Sequence, residues 1–432
     1  MAQTNISTIS PQAAKVYGSV LFAQTQQSQS KLRLLGGKKP SAAAEIGEKI
    51  GKVQSSADLP IVEVYDLAST AGDEVTVDCQ NVKASLPVMG DEDREGKGDP
   101  VTMSSMKIRL DMWSFVADAG KKMSRQRTGH DLMMMAQNQG KGNAVKYWEQ
   151  RSMYHLGGAR GTDYNNLSTI PLESHSRFAK IMVNPIKAPT FNRHFVVDGG
   201  NLIQGGQQLA SIDSTDVLKI DHVDQARAII DAMPTTLQPI KLPDDMSAGD
   251  SPMWALLTPS NVFATLKLDP NFRQLQAEVN ARAAATGRSN HPLFVGDVGM
   301  WNGILVIKIT SAVIRFLAGT GTNIVTQANA GTATESQVIV NAGLTAGYAV
   351  ERSILLGAQA LGVVYGKSEK SGGHYSLLDR KYDYDSGIEY VVEGCSAAAK
   401  LRFDTQDGQG NLVPTDHGVM VIDSAAKQYF VS

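Results

Sequence analysis

Two runs of alternating residues, separated by a charged and glycine-punctuated insert, place the tightest constraint on how this chain folds. Val75, Val77 and Cys79 alternate with Thr76 and Asp78, and a strand-like pattern resumes at Val101, Met103, Ile108 and Leu110. Between them lies VMGDEDREGKGDPV, which is poor in apolar residues. The stretch from about 72 to 112 therefore reads as a long two-stranded excursion with a polar tip. An isolated hairpin is only marginally stable in water, so this one requires a supporting surface.

The tip carries Asp91, Glu92, Asp93, Glu95 and Asp99. A calcium loop would need acidic ligands at alternate positions followed by a distant Glu, and here Arg94 and Lys97 interrupt the charge. The tip is expected to be a solvated or subunit-contacting loop without a metal. No cofactor is expected anywhere in the chain. Asp91, Glu92, Asp93, Arg94, Glu95 and Lys97 are the candidate contact residues, forming ion pairs that set register between subunits.

A chain of 432 residues can bury a large core and suggests two or three domains. The balance of 41 basic against 43 acidic residues leaves a net charge of −2, so no global field draws the molecule to nucleic acid or an anionic membrane. Cys79 and Cys395 stand far apart without CxxC spacing, which reads as two reduced, buried thiols. The N-terminus lacks the basic start and apolar core of a signal peptide, and no run of about 18 apolar residues occurs. A soluble cytoplasmic product is expected.

The first 57 residues are rich in Gln, Ser and Ala, with Lys15, Lys31, Arg33, Lys38, Lys39, Lys49 and Lys52 against Glu45 and Glu48. This is a basic arm, either disordered or holding one short amphipathic helix at Val16, Tyr17, Val20 and Leu21. Further on, Leu132, Met135, Ala136 and Gln139, then Val145, Trp148, Ser152 and Leu156, step at helical spacing towards a stop at Gly157 and Gly158. That pattern predicts a long helix, or two collinear ones hinged at Gly140-Lys141-Gly142. Met133, Met134 and Met135 read as core filling, and His130 and His155 as structural histidines on the helix.

Residues 163–206 look irregular, and SIDSTDVLKIDHVDQARAIIDAM predicts a helix with Val217, Ile220, Val223, Ala226 and Ile230 on one face. Asp221, His222 and Asp224 resemble ligands, but adjacency on a helix sends them in different directions, so a solvated face is expected. Trp254 to Leu257 reads as a buried strand, and Ser260 after it lacks a G-x-S-x-G context. In HPLFVGDVGMWNGILVIKI, no Lys or hydroxyl follows the glycines and a strand rather than a helix comes next. Gly296, Gly299 and Gly303 near Asp297 are therefore expected to form a scaffold turn before strand 304–309. The small-residue segment 318–347 reads as an elaborated loop with a short strand at Val338 to Val340, and the C-terminal part as an antiparallel closing sheet. The fold class is α+β.

The order of GDEVTVDC, DMWSFVADAGKKMSRQRTGHDL, YWEQRSMYHLGGARG, HPLFVGDVGMWNGILVIKI, RSILLGAQAL and YDYDSGIEYVVEGCSAAAKLRF resembles the major capsid proteins of tailed double-stranded DNA phages of the coliphage N-four type. That family looks like a member of the Hong Kong 97-like capsid fold. The resemblance runs from about residue 72 to about 423. It implies an N-terminal arm at 1–58, an extended β-hairpin loop at 59–118, and a peripheral domain at 119–212 with a long spine helix at 121–157. An axial domain at 213–374 and closing peripheral strands at 375–432 follow.

The resemblance further implies a non-enzymatic protein that self-assembles, as pentamers and hexamers, into an icosahedral shell. The shell would enclose double-stranded DNA without reading its sequence and without a membrane. Its partners would be itself, a portal protein, and scaffolding and decoration proteins. Its place would be the virion capsid, assembled in the bacterial host cytoplasm. The alternatives are an encapsulin-like cellular nanocompartment shell, and a hydrolase or transferase using Asp221, His222 and Asp224, or Ser260.

Overall fold

A computed structural model describes residues 35, 58–65, 72–81, 87–90, 94–95, 102–161, 168–172, 175–204, 212–241, 252–274, 298–310, 312–317, 344–366, 374–406 and 411–429. These residues form two principal sheets, two short two-stranded ladders and a long helix.

The larger sheet has eight strands. Seven run in the order β6 (Asn201–Gln204), β5 (His194–Asp198), β17 (Val419–Lys427), β11 (Tyr348–Leu356), β7 (Trp254–Pro259), β9 (Ile304–Ile309) and β8 (Val298–Trp301). The eighth, β10 (Arg315–Phe316), pairs with β11. Both faces of its centre are covered. In β11, Val350, Ile354 and Leu356 face one apolar cluster while Leu355 faces another, and in β17 Val421 and Ile422 divide in the same way. This is why the two strands are buried almost without interruption instead of alternating.

The second sheet runs β1 (Ile61–Val64), β12 (Leu361–Tyr365), β14 (Gly387–Lys400) and β13 (Tyr375–Tyr382), with β4 (Met112–Lys121) also pairing with β14. Trp113, Phe115, Ala117 and Ala119 of β4 point inward, whereas Met112, Ser114, Val116 and Asp118 are exposed. The inward row packs on the helix α2 (Leu132–Gly157), which follows the short α1 (Lys122–Arg127).

α2 corrects several expectations. It begins after a break at Thr128 to Asp131, so 121–157 is not one helix, and His130 lies before it. Asp131 caps it by accepting from the backbone N–H groups of Met133 and Met134. Gly158, with φ 69°, ends it as a left-handed cap, in keeping with the expected stop. The helix passes through Gly140-Lys141-Gly142 without a hinge. A Cβ on Gly140 would lie 2.8 Å from Val392 Cγ2, so this glycine lets helix and sheet approach closely. The buried stripe is Ala136, Gly140, Ala144, Tyr147 and Arg151. Met134 and Met135 are 60% and 56% exposed, so they are not core filling, while Met133 packs partly against Ala136 and its neighbours.

The segment expected to be irregular contains α3 (Phe178–Ile181) and the β5–β6 hairpin, turned at Gly199 and Gly200. α4 (Ile220–Ala232) buries Ile220, Val223, Ala226 and Ile230 as the spacing predicts. With α5 (Ser260–Leu266) it covers the outer face of the eight-stranded sheet. In the glycine segment the reversal is made by Asn302 (φ 48°) and Gly303 (φ 75°) between β8 and β9. Gly299 instead sits within β8 opposite Val306, and Gly296 and Asp297 fall outside the described residues. The candidate helix at Val16 to Leu21 and the short strand at Val338 to Val340 also lie outside them. Leu35, from the basic arm, is buried in the main core.

The C-terminal strands do not close a single sheet. β14 belongs to the five-stranded sheet and β17 to the eight-stranded one, while β15 (Arg402–Gln406) and β16 (Leu412–Asp416) form a ladder of their own. Cys395 is buried and Cys79 only partly so, and neither is in a disulfide.

Candidate assembly interface

The long excursion is a two-stranded antiparallel ribbon of β2 (Glu74–Asn81) and β3 (Thr102–Arg109), registered Glu74 to Arg109 at the root and Asn81 to Thr102 towards the tip. The chain itself supports the root. Val75 and Ile108 are buried with Val62, Val64, Val364, Leu401 and Phe403. A Cβ on Gly362 would meet Ile108 Cδ1 at 2.8 Å, so the ribbon rests directly on β12. Asn184 clamps the base from both sides: its Oδ1 accepts from Arg109 N–H at 3.0 Å and its Nδ2 donates to Arg109 C=O at 2.9 Å.

Burial falls away towards the tip, where Met103 is 68% exposed. Of the six candidate contact residues, Arg94 and Glu95 are exposed, while Asp91, Glu92, Asp93 and Lys97 lie outside the described residues.

A second exposed region is the face of β4, β14 and β13 turned away from α2. Val116, Val391 and Leu378 form a cross-strand row there, next to the row Asp118, Glu389 and Arg380. Its edge is the β13–β14 turn, where Asp383, Tyr384 and Asp385 all have positive φ and Tyr384 is fully exposed. Lys121 Nζ holds that turn through Asp383 Oδ2 at 2.6 Å.

A cavity of about 400 Å³ lies at the ribbon root on the α2 side of the five-stranded sheet, lined among others by Asp111, Trp113, Tyr147, Arg151, His155, Arg177 and Lys180. Arg151 is buried at its floor and donates to Ser396 O at 2.8 Å and Ser396 Oγ at 3.1 Å. His155 is fully enclosed, and burial, followed by the nearby Arg151 and Lys400 charges, pushes its pKa down to about 3. It is neutral near pH 7.

Beneath the exposed surfaces, buried charges lock the framework. Arg352 and Asp423 are direct cross-strand partners of β11 and β17, joined by Nε–Oδ1 and Nη2–Oδ2 contacts of 2.8 Å each. His194 Nε2 reaches the same carboxylate at 2.6 Å. Arg352 Nη1 also donates to Gly157 O at 2.7 Å, which places a cation at the C-terminus of α2. Burial raises the Asp423 pKa, but Arg352 and His194 outweigh it and hold the carboxyl well below its usual range. A second lock joins Asp416 to Lys400 at 2.7 Å and Arg402 at 2.8 Å. Because Asp416 is shared, burial prevails at Lys400 and its pKa falls to about 8, with the Arg402 charge adding to the drop.

The residues weighed for catalysis do not converge. Burial of His222 corrects its expected place on a solvated face: its Nδ1 accepts from Lys219 N–H at 2.9 Å, capping α4. Asp224 accepts from Trp301 Nε1 at 2.8 Å and Asn302 Nδ2 at 3.1 Å, and Asp221 is exposed. Ser260 Oγ donates to Ile309 O at 3.0 Å. Among the described residues no three His, Cys, Asp or Glu side chains gather as a metal site would require, and no helix is long and apolar enough to cross a membrane. The buried locks were missed from sequence. Their signal was the presence of Glu351, Arg352 and Asp423 inside otherwise apolar strands.

Comparison with known proteins places this architecture. The chain is similar over its full length, and over the full length of the other, to a chain of the capsid of Ralstonia phage GP4, with 21% identity and a TM-score of 0.64. It is similar to a chain of the cyanophage Pam1 capsid with 17% identity and a TM-score of 0.58, covering 86% of this chain and 90% of that one. For a chain of the head of Helicobacter pylori bacteriophage KHP40 the identity is 13% and the TM-score 0.54, over 86% and 89%. At these identities the likeness speaks to the fold. No curated protein matches the sequence. The model of the family described as phage capsid protein matches residues 5–428. The chain belongs to the phage capsid protein family, and its function is that of a bacteriophage major capsid protein, a structural subunit of the shell.

Proposed function

We propose that many copies of this chain self-assemble, as pentamers and hexamers, into an icosahedral shell around the double-stranded DNA of a tailed phage. The observation that carries the reading is the ribbon β2–β3. Its root is built into the chain's own core, while its far end bears exposed Met103, Arg94 and Glu95. Such an element gains little for a lone molecule and much for one that meets a neighbour. Within this reading the fold is of the Hong Kong 97 type and the closer kinship is with the coliphage N-four type.

The same reading divides the chain into an arm at 1–58, an extended loop at 59–118, peripheral segments at 119–212 and 375–432, and an axial domain at 213–374. β1 and β4 are then the roots of the loop within the five-stranded sheet. Assembly would take place in the host cytoplasm, with a portal, scaffolding and decoration proteins as partners. The near-neutral net charge of −2 suits a lining that must let DNA enter and leave. Electron microscopy of the concentrated, purified protein should show shells or ring-shaped capsomers. A population that stays monomeric would overturn the reading.

A further inference from the structure

The cavity at the ribbon root holds a charge that its own walls do not answer. Arg151 is only 4% exposed, and among the described residues no carboxylate pairs with it. Only two of its five N–H donors find acceptors there, Ser396 O at 2.8 Å and Ser396 Oγ at 3.1 Å, and its Nε has none. The Tyr147 ring, 5.0 Å from the guanidinium carbon, adds a weaker π contact. A buried guanidinium in this state is costly unless an anion meets it.

The rest of the lining favours a doubly charged occupant. Arg177 and Lys180, three residues apart at the start of α3, stand exposed at the mouth, and among the described residues neither side chain is in an ion pair. Asp111 is the one carboxylate of the described lining and His155 is neutral, so the cavity carries a net charge of +2. A phosphate group carries about −1.5 to −2 near pH 7 and matches that charge, whereas chloride or a single carboxylate leaves the cavity positive. The volume of about 400 Å³ is that of a small-ligand site and exceeds what a bare phosphate fills, with Trp113 and Phe115 forming a flat wall beside the charges.

We propose that this cavity binds a phosphate-class anion, either free inorganic phosphate or the phosphomonoester end of a small molecule. The anion accepts from Arg151 at the floor and from Arg177 and Lys180 at the mouth, in charge-assisted hydrogen bonds. Asn184, which clamps Arg109, lines the same cavity, so the anion sits where α2, α3 and the ribbon root converge. The site is complete within one chain, and the proposal does not rest on the shell-forming reading.

The test is a calorimetric titration of the full-length protein with inorganic phosphate, against a chloride buffer of matched ionic strength. Adenosine monophosphate forms a second arm and adenosine the control. Phosphate should give saturable heat with one site per chain and should raise the melting temperature. Arg177→Gln with Lys180→Gln should weaken binding by about tenfold or more while the far-ultraviolet spectrum stays that of the native protein. Arg151→Met should abolish binding, and the double variant, altered only at exposed positions, decides the matter if Arg151→Met fails to fold. A monophosphate that binds no tighter than phosphate assigns the free ion, and one that binds tighter assigns an ester whose base lies on the Trp113 and Phe115 wall. No saturable heat in either arm, adenosine binding as tightly as its monophosphate, or unchanged affinity in the double variant would overturn the proposal.

Discussion

Gly140 lies so close beneath Val392 that a Cβ built on it would stand 2.8 Å from the valine Cγ2, whereas Gly142, half a turn away, has nothing within 4 Å. Two glycines in one helix therefore have opposite roles. Gly140→Val should lower unfolding free energy by about 1–3 kcal/mol through overpacking. Gly142→Ala should raise it by about 1 kcal/mol, because alanine is the better helix former and nothing obstructs it. Urea unfolding of the unassembled protein measures both, and equal effects of one sign would contradict the packing described.

The Arg352–Asp423 pair is fully enclosed and links β11, β17 and the end of α2. Asp423→Asn strips the counter-charge from Arg352 and should cost about 3–5 kcal/mol. The double variant Arg352→Met with Asp423→Leu should recover a large part of that loss, since no charge is then left unpaired. A double-mutant cycle by chemical denaturation reads the coupling directly.

His155 has a folded-state pKa of about 3 against an ordinary 6.5, so between these values the unfolded chain binds the extra proton. Stability is fully present above pH 6.5 and declines as the pH falls towards 3. The slope is about 1.4 kcal/mol per pH unit for one histidine. Burial also lowers the His417 pKa, and it adds in the same direction. Denaturation midpoints from pH 7 to pH 4 should therefore fall, and His155→Gln should flatten the slope by one proton's worth.

Asn184 makes both backbone bonds of Arg109 at the ribbon root. Asn184→Ala should cost about 1–2 kcal/mol and act locally, with faster hydrogen exchange at Arg109 and its neighbours. Unchanged exchange there, with a purely global loss, would show that the clamp does not hold the ribbon.

Gly303 combines φ 75° with a Cβ position 2.8 Å from Pro252 O. Gly303→Ala should therefore destabilise the β8–β9 turn by about 1–2 kcal/mol or more. A thermal melt indistinguishable from wild type would argue against the turn.

The ribbon could be read from sequence because a period-two pattern follows from backbone geometry alone, and Val75, Val77 and Cys79 display it without reference to the rest of the fold. The face of α4 was legible for the same reason at period 3.6. Met134 and Met135 misled, because apolar character in a helix does not say whether anything covers the side chain, whereas Met133 does pack partly against the core. Of the expected turn glycines Gly303 does make the reversal, together with Asn302, whereas Gly299 misled, being an ordinary strand position. The cationic cavity was not legible at all. Arg151 comes from a helix, Ser396 from β14 and Trp113 from β4, and no local pattern brings them together.

The sequence by itself determined the kinds of local element, the acidic composition of the segment between β2 and β3, and the order of segments that pointed to a capsid protein, because these can be read from near neighbours in the chain. Tertiary structure alone decided that β14 and β17 enter different sheets, that Arg352 meets Asp423, and that Arg151 of α2 is buried against Ser396 of β14. Such pairings join residues far apart in sequence, and they form only where packing of the whole chain removes water from both partners.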